Sequence, residues 1–581
     1  MILTLVGCAP QPDDRRGSTT PPASNGASAA TPPATATPAW QRGEGGDLKI
    51  LYWQAPTTLN PHQATSTSDI DASRLVLEPL AALDPDGTPV AQLAAGIPTQ
   101  QNGGVSADLT TVTWRLKQGV LWSDGSPFSS VDVVLTYKYM CDPSSGTTSF
   151  GACHNVTSVT APDPNTVVVQ YSAPQTFPYQ WGVGRDTPIL QWRQYKDCVG
   201  EAAKSCDADQ DPVGTGPYKI REFKVGDVVL YDANENFRDP DKPFFKSVSF
   251  MGGGDPMSAA LAVFQTGDVD YAWNLRVEPS VLEEMASGSD KAALVVEYGA
   301  SVERLLLNRA DPDPALGDRR SEPETQHPFF RDKAVRRALS MATDREAVAE
   351  LYGLAALPTC NVLTAPERMR SLSTASLDLC TFDLQAAERE LDRAGWVKGA
   401  DGVRSKNGVR LEILYQTAES APHLRTQEIM KANWEKVGFR VTLRSEPGAT
   451  FLTNASPGGA PKFYADVQQL AKGPGAPDAV SYLESWTCAE VNGSAKDWNG
   501  KGWERYCDPG YDRIIDQLRR EMDVARRDAL AIRANDHLVE DVVVIPLVRT
   551  SSAIAGVSKD LKGVMPSGWD SEMWNIADWY R

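Results

Sequence analysis

The chain has 581 residues, and two or three domains are expected because a single hydrophobic core stops growing at about 250–300 residues. Its 75 acidic and 57 basic residues give a formal net charge of −18, which argues against nucleic acid as a partner, since phosphates attract basic surfaces. No apolar run approaches the roughly 18–20 residues of a membrane-spanning helix, so an integral membrane protein is also disfavoured.

The first eight residues end in the tetrapeptide Leu-Val-Gly-Cys, which has the pattern of a lipobox. At such a site the cysteine, here Cys8, becomes the lipid-carrying first residue of the mature protein. No Lys or Arg precedes Arg15, so the basic part of a secretory signal is missing from this sequence, and a chance cysteine is the alternative interpretation. Residues 9–46 are rich in Pro, Ala, Thr and Ser and are expected to form a disordered tether. Together the two segments predict a protein anchored to the extracytoplasmic face of the cell membrane.

Eight of the nine cysteines fall in four local pairs. These are Cys141 with Cys153, Cys198 with Cys206, Cys360 with Cys380, and Cys488 with Cys507. Nearest-neighbour pairing predicts four disulfides, each of which stabilises the fold by about 2–4 kcal/mol. Free thiols and a metal site are the alternatives, and zinc is disfavoured because no CxxC pair occurs and the histidines are scattered. Disulfides persist in oxidising compartments, in agreement with an exported protein.

In the N-terminal half, short strands alternate with helices. Strands are predicted at 47–53, 112–116, 166–171, 218–231, 248–251 and 269–273, and helices at 70–77, 131–137 and 257–266. A tight turn at 122–128 is marked by Asp-Gly and Pro, and Ser129 or Ser130 is placed to cap the helix that follows it.

The same alternation continues in the C-terminal half. Helices are predicted at 335–341, 345–352, 384–394 and 425–436 and twice within 511–541, and strands at 410–416, 441–444 and 542–548. Gly395 and Gly438 are placed where two of these helices end. The alternation indicates layered α/β architecture.

Motifs of the common enzyme classes are absent from the sequence. It contains no GxSxG nucleophile elbow, no HExxH, no Walker-type phosphate loop and no GxGxxG after a strand. Carboxylates are plentiful, but no spacing singles out an acid–base pair. We therefore expect a protein that is not an enzyme, and no cofactor.

Six motifs follow one another along about 500 residues. The most specific spans residues 114–132 (WRLKQGVLWSDGSPFSSVD), and the others lie at 58–62, at 214–219 with Asn234 and Phe237 downstream, and at 329–345, 385–396 and 427–441. In this order they resemble the extracellular solute-binding proteins of peptide-type ABC importers. That group contains the oligopeptide-, dipeptide- and nickel-binding proteins.

The resemblance implies an α/β fold with two lobes, the type II periplasmic-binding-protein clamshell with an extra inserted domain. The first lobe is expected to combine residues 47–73, 211–301 and 545–581, and the inserted domain to span 74–210. The second lobe is expected at 302–544. A solute would lie in the cleft between the lobes and be enclosed when they close.

Three segments are candidates for contact with a solute. The first offers the hydroxyls of Thr65, Ser66, Thr67 and Ser68, and the second offers Trp273 and Asn274 at a strand end. The third is interpreted as a loop at 466–478, with Gln469, Lys472 and Gly473. For all of them, ordinary solvation or structural packing is the alternative.

The third segment departs from the family pattern. Peptide-binding members carry a Trp and an amine-binding Asp there, and this chain offers neither unless Asp478 has taken the second role. Lys472 favours an acidic or neutral solute, or is simply a solvated lysine. Whether free α-amines are recognised is thus left open by the sequence.

The predicted function is that of a non-catalytic lipoprotein, a monomer that captures a peptide or peptide-like solute for an ABC permease and its ATPase subunits. Polar and backbone contacts with trapped water would let it accept varied side chains. A non-peptide solute, such as a glycoside, an opine or a metal chelate, is the first alternative. A surface sensor or scaffold that does not transport is the second.

Overall fold

The structure is a computed structural model that describes residues 40–581. The predicted lipid anchor at Cys8 and the predicted tether as far as residue 39 lie outside the described residues. The folded part begins earlier than the predicted end of the tether at residue 46, because Trp40 stacks on Tyr580 with ring centroids 4.9 Å apart. Arg42 also donates hydrogen bonds to four backbone carbonyls between Glu235 and Lys242. Among the described helices, none has the length and apolar character needed to cross a membrane.

The described part of the chain starts with short strands separated by helices. In chain order these elements are β1 (Asp47–Tyr52), α1 (Thr67–Arg74), β2 (Ala81–Leu83), β3 (Pro89–Ala91), β4 (Thr111–Arg115), α2 (Ser130–Met140), β5 (Val156–Asp163), β6 (Thr166–Tyr171), α3 (Trp192–Tyr195), β7 (Tyr218–Lys224), β8 (Val228–Ala233), β9 (Ser247–Met251), α4 (Pro256–Leu261), β10 (Tyr271–Trp273) and α5 (Pro279–Gly288). Ser129 precedes α2, and its N–H donates to Asp132 as the first turn forms.

The remaining elements include the two longest strands of the described chain. They are β11 (Ala292–Leu307), α6 (Lys333–Met341), α7 (Arg345–Tyr352), β12 (Ala356–Pro358), α8 (Leu384–Arg393), β13 (Val397–Lys398), β14 (Arg404–Lys406), β15 (Val409–Arg410), β16 (Glu412–Ala418), α9 (Ala421–Val437), β17 (Arg440–Glu446), α10 (Gly448–Phe451), β18 (Val467–Lys472), α11 (Val480–Leu483), α12 (Pro509–Leu518), α13 (Val524–Glu540) and β19 (Val544–Ser558).

The largest of four sheets in the described residues has eleven strands and contains β11 and β19. Its order is β17-β16-β18-β11-β19-β10-β1-β9-β8-β7, and β12 pairs with β19 beside this path. At one end β16 is parallel to both β17 and β18, and at the other β1 is parallel to both β9 and β10. Between these ends the long strands β11 and β19 are antiparallel, from Ala292 opposite Ser558 to Leu306 opposite Val544.

Separate hydrophobic cores lie on the two sides of this central strand pair. The first contains Tyr52, Trp114 and, from the end of β19, Val557. The second contains Trp434 and, from the start of β19, Ile545. A single strand thus serves both cores, so β11 and β19 join two lobes. The expected α/β clamshell with two lobes is confirmed, whereas the exact boundaries of the lobes and of the inserted domain stay predictions.

The four cysteine pairs form disulfides as expected. The bonds are Cys141–Cys153, Cys198–Cys206, Cys360–Cys380 and Cys488–Cys507. The longest sequence separation is 20 residues, so every bond is local and none ties one lobe to the other. The disulfides therefore stabilise loops within lobes and leave the connection between lobes to β11 and β19.

Candidate functional site

A cavity of about 270 Å³ lies beside the middle of the β11–β19 pair, and we call it the hinge cavity. Its lining combines both central strands with loops from each lobe. The lining residues are Pro85, Asp86, Val295, Val296, Glu297, Tyr298, Gly299, Ala300, Ala365, Pro366, Glu367, Arg549, Pro566, Gly568 and Trp569. Because it touches both lobes at their connection, its shape depends on how far the lobes are closed.

A larger cavity of about 710 Å³, the interlobe cavity, opens next to it. One wall comes from residues within 148–186 of the predicted inserted domain, and the other from 475–484 together with Lys501 and Arg519. Glu484 on the second wall accepts hydrogen bonds of 3.1 Å from both of these basic side chains. Trp569 lines this cavity and the hinge cavity, so the two spaces adjoin. A site of this size suits a small solute, since ligand pockets span about 300–1,000 Å³.

The backbone of the hinge is irregular where it faces the cavity. The pairing of β11 with β19 shifts register between Glu297 and Tyr298, again between Tyr298 and Val302, and again after Glu303. Such shifts bend strands and leave backbone groups without ladder partners. The guanidinium of Arg549 donates to two of these groups, the carbonyls of Tyr298 at 2.6 Å and Gly299 at 3.1 Å. The side chain thereby stabilises the interrupted part of the ladder.

Three carboxyl groups cluster behind the wall of the hinge cavity. Asp71 accepts hydrogen bonds from the hydroxyls of Tyr52 at 2.7 Å and Ser571 at 2.5 Å, and burial raises its pKa to about 6. Burial also raises the pKa of Glu297 to about 7. The pKa of Glu572 is raised by burial and by the negative charges of Glu297 and Asp71. The cluster makes this side of the cavity acidic.

The predicted hydroxyl segment is used for helix capping. Ser66 accepts a hydrogen bond of 3.2 Å from the N–H of Asp69, and its hydroxyl lies 2.8 Å from that of the buried Ser68. The carboxylate of Asp69 accepts in return from the N–H groups of Thr65 and Ser66. These residues and Thr67 therefore start α1, and none of the four lines the two cavities. Their contact with a solute stays a prediction.

Trp273 and Asn274 are also held by neighbouring residues. The ring of Trp273 is buried and stacks on Tyr52, with centroids 4.7 Å apart. Asn274 has a positive φ of 58°, a conformation that asparagine tolerates better than most residues. Its backbone oxygen accepts from Trp53 at 3.0 Å and its side-chain oxygen from Arg276 at 2.8 Å. Neither residue lines the two cavities, and their role in binding stays a prediction.

The interpretation of 466–478 as one loop is wrong in its first half, because residues 467–472 form β18. Gln469 is buried between neighbouring strands, and Tyr415 donates a hydrogen bond of 2.5 Å to its side-chain oxygen. The backbone oxygen of Lys472 accepts from Arg304 at 3.3 Å. Burial lowers the pKa of the Lys472 ammonium, and the like charge of Arg304 adds to this effect. Lys472 is thus a partly buried strand residue, and its contact with a solute stays a prediction.

Gly473 directly follows β18 and packs against the hinge. A Cβ atom at this position would lie 2.2 Å from the backbone oxygen of Ala300, which lines the hinge cavity. Only a residue without a side chain fits this approach. Of the residues predicted for binding, Gly473 is therefore the one in contact with a wall of the hinge cavity.

Sequence reasoning missed Glu297 and Arg549, which line the hinge cavity, and Glu572, which belongs to the acidic cluster beside it. Glu297 is the one acidic residue among the apolar and small residues of the first ten positions of β11, and Glu572 follows a Trp-Asp-Ser segment near the C-terminus. An acidic residue between apolar neighbours is the signal that was available for Glu297. Among the described residues no group of three or more His, Cys, Asp or Glu side chains is arranged to hold a metal ion.

Comparisons with known proteins agree with this architecture. The family model described as "Bacterial extracellular solute-binding proteins, family 5 Middle" matches residues 88–494. The Dipeptide-binding protein DppE of Bacillus subtilis (strain 168) is 22% identical over 563 residues, which are 90% of this chain and 91% of that protein. The Nickel-binding periplasmic protein of Escherichia coli (strain K12) is 26% identical over 397 residues, which are 67% and 69% of the two chains. The structure of HbpA2 from Haemophilus parasuis superposes with a TM-score of 0.74 at 18% identity, covering 91% of this chain and 99% of that one.

Proposed function

Because this chain belongs to the bacterial extracellular solute-binding proteins of family 5, we propose that it captures a peptide or peptide-like solute between its lobes and delivers it to a membrane permease. Members of this family bind solutes for ABC importers and are not enzymes, and this chain is accordingly a transport protein rather than an enzyme. The peptide as solute, the lipid anchor at Cys8 and the delivery to a permease are parts of the proposal.

The observation that carries the proposal is the pair of adjoining cavities between two lobes that share two strands. The hinge cavity and the interlobe cavity are bounded by residues of both lobes, and Trp569 lines the two of them. A solute bound there contacts both lobes at once. It therefore favours the closed arrangement by its additional contacts, which is how a binding protein reports its loaded state to a transporter.

The cavity walls support an elongated polar solute. The interlobe cavity contains charges of both signs, including Arg185 and Asp186 on one wall and Glu484 and Arg519 on the other. Peptides offer backbone donors and acceptors along their whole length, which such walls and trapped water can satisfy. Similarity to a dipeptide-binding protein over 90% of this chain supports the same class of solute.

A metal chelate is the second candidate, and similarity to a nickel-binding periplasmic protein favours it. Among the described residues no cluster of ligands is arranged for a bare ion. A chelate would therefore have to be bound through its organic part.

Thermal unfolding and calorimetry with the protein starting at Trp40 test the proposal. Unmodified di- to pentapeptides, sugars and nickel–histidine chelates are compared as probes. A bound peptide at 100 times its Kd is expected to stabilise the folded state by about 2.7 kcal/mol. Binding of chelates or sugars together with no response to any peptide would contradict the proposed peptide function.

A further inference from the structure

Within the described part of the chain, no basic side chain pairs directly with the acidic cluster beside the hinge cavity; the charge of Arg185 lowers the pKa of Asp71 and Glu572, but burial outweighs it. Asp71, Glu297 and Glu572 form no ion pair with a basic side chain among the described residues, whereas the basic residues around them have other partners. Arg74 lies 3.8 Å from Asp570, and Arg185 lies 3.8 Å from Asp186. Burying several carboxyl groups side by side without an ion-pair partner is costly, so such a cluster calls for a function.

Arg549 does not neutralise the cluster. Its guanidinium donates to the backbone oxygens of Tyr298 and Gly299 and lies 3.6 Å from the carboxylate of Glu367. These contacts occupy the planar fork of the arginine. Its charge lowers the pKa of Glu297 somewhat, but burial outweighs it.

Two oxygen atoms of the cluster are unsatisfied. Glu572 is buried, with 7% of its surface exposed, and its Oε2 has no hydrogen-bond partner among the described residues. The backbone N–H of Glu572 donates a hydrogen bond of 3.2 Å to the carboxylate of Asp71, and the negative charges of Glu297 and Asp71 raise the pKa of Glu572 beyond the effect of burial. The Oε2 of Glu297 is likewise without a partner among the described residues, and Glu297 itself lines the hinge cavity. The wall of the hinge cavity therefore presents the Oε2 atom of Glu297 as a hydrogen-bond acceptor that has no donor within the described part of the protein.

We propose that Glu297, with Glu572 and Asp71 behind it, binds a protonated nitrogen group of the solute, an ammonium or a guanidinium, in the hinge cavity. The bound cation supplies a direct ion-pair partner for the cluster and hydrogen-bond donors for its unsatisfied oxygens. Glu297 makes the direct contact because it lines the cavity, and Glu572 and Asp71 strengthen the negative potential. The inference rests on the proposed function and gives the chemistry of its solute. It also places an acidic amine site on the hinge strand β11 rather than among the side chains of the segment at 466–478.

Four peptide probes distinguish a free α-amine from a lysine side chain as the bound cation. They are Ala-Ala-Ala, N-acetyl-Ala-Ala-Ala, Ala-Lys-Ala and N-acetyl-Ala-Lys-Ala. Calorimetry at pH 7.5 measures their binding to the wild-type protein and to Glu297→Gln, Glu572→Gln and Glu322→Gln. Glu322 is the control, since its carboxylate is also buried but does not line the hinge cavity. It accepts a hydrogen bond from the N–H of Ser494.

The inference predicts that probes with a cation bind at least about tenfold more tightly than N-acetyl-Ala-Ala-Ala, and that Glu297→Gln removes this difference. Glu572→Gln is expected to reduce it, and Glu322→Gln to leave it unchanged. A preference for Ala-Ala-Ala identifies the α-amine as the bound group, and a preference for N-acetyl-Ala-Lys-Ala identifies a side chain. The ligand-free Gln variants are expected to melt no lower than the wild type, which separates lost recognition from misfolding.

Two results would overturn the inference in distinguishable ways. If the wild type binds all four probes equally, or if Glu297→Gln keeps the full preference for cations, the acidic cluster is not the recognition site although the proposed function stands. If the wild type binds none of the four probes, the proposed peptide function fails and the inference fails with it.

Discussion

Arg549 on β19 donates a hydrogen bond of 2.6 Å to the backbone oxygen of Tyr298 on β11, at the point where the register of the two strands shifts. The same guanidinium reaches the oxygen of Gly299 at 3.1 Å. One side chain thus replaces ladder hydrogen bonds at the connection between the lobes.

Arg549→Lys is expected to lower the free energy of unfolding by about 1–3 kcal/mol, because a single ammonium cannot donate to both carbonyls in the geometry of the planar fork. Urea unfolding followed by circular dichroism measures the change. Arg526→Lys is the matched control, since Arg526 is 69% exposed and pairs with Glu521 on the surface, and it should leave the unfolding midpoint unchanged. Equal effects of the two substitutions would argue against a structural role of Arg549 at the hinge.

Stability is expected to fall with rising pH because of Glu297. Burial raises its pKa from 4.5 to about 7, so between these values the folded state holds a proton that the unfolded state has lost. This contribution is complete below pH 4.5 and is lost as the pH rises through 7, with an upper limit of about 3 kcal/mol.

Glu297→Gln isolates this effect from other groups such as Asp71 and Asp209, whose pKa values burial raises to about 6. The variant should match the wild type in melting temperature at pH 4 and exceed it at pH 8. Thermal scans at half-unit pH steps measure the difference. A difference that does not change with pH would show that the carboxylate titrates normally.

Gly473→Ala is expected to destabilise the protein by about 1–3 kcal/mol, because the new methyl group would lie 2.2 Å from the backbone oxygen of Ala300. The strain falls on β11 at the hinge cavity, so affinity for a peptide should fall as well. Gly475→Ala is the control for stability, since a Cβ atom there would meet no atom within 4 Å. Unfolding midpoints of both variants provide the test, and a tolerated Gly473→Ala would contradict the tight approach.

Cys8→Ala in the full chain is expected to release the protein from the membrane into the medium, because the lipid is attached through this cysteine in the proposed anchor. Fractionation of expressing cells followed by immunoblotting measures the distribution. Cys360→Ala is a suitable control, since Cys360 belongs to a disulfide within the body and its loss should not change the membrane fraction. Retention of the Cys8 variant at the membrane would refute the anchor.

Local patterns gave good predictions wherever an element is specified by its own residues. The strand predicted at 166–171 coincides with β6, and Gly395 follows the end of α8 with a φ of 80°. The nearest-neighbour disulfides belong to the same class, because short loops bring their cysteines together whatever the surrounding fold. These signals need no information from distant parts of the chain.

Strands β11 and β18 were not predicted from the sequence, and the reason is physical. β11 is half-exposed in its first part and buried on both faces from Val302 onward, so no single alternation of polar and apolar residues runs along it. In β18 the polar Gln468 and Gln469 are buried, and their partners Gln416 and Tyr415 come from β16. Such pairing across strands cannot be deduced from the segment itself.

The acidic cluster could not be predicted from local sequence for the same reason. Asp71, Glu297 and Glu572 come from three distant parts of the chain and meet only because α1, β11 and the C-terminal segment converge at the hinge. The family resemblance predicted a cleft between lobes, but its motifs shape the fold and do not identify the residues that line the cavities.

The shared strands determine what kind of motion the lobes can make. β11 and β19 pass from one core to the other as an antiparallel ribbon, and the register of the ladder shifts three times between Glu297 and Arg304. A narrow ribbon of this kind is soft in torsion, since twist varies widely between paired strands, and stiff in shear, since sliding breaks its hydrogen bonds. The lobes therefore open and close through a change in the twist of the β11–β19 ribbon rather than by rotation about flexible linkers. Part of the binding free energy of a solute then offsets the elastic cost of twisting the ribbon. The twist of the relaxed ribbon determines the angle between the lobes in the empty protein.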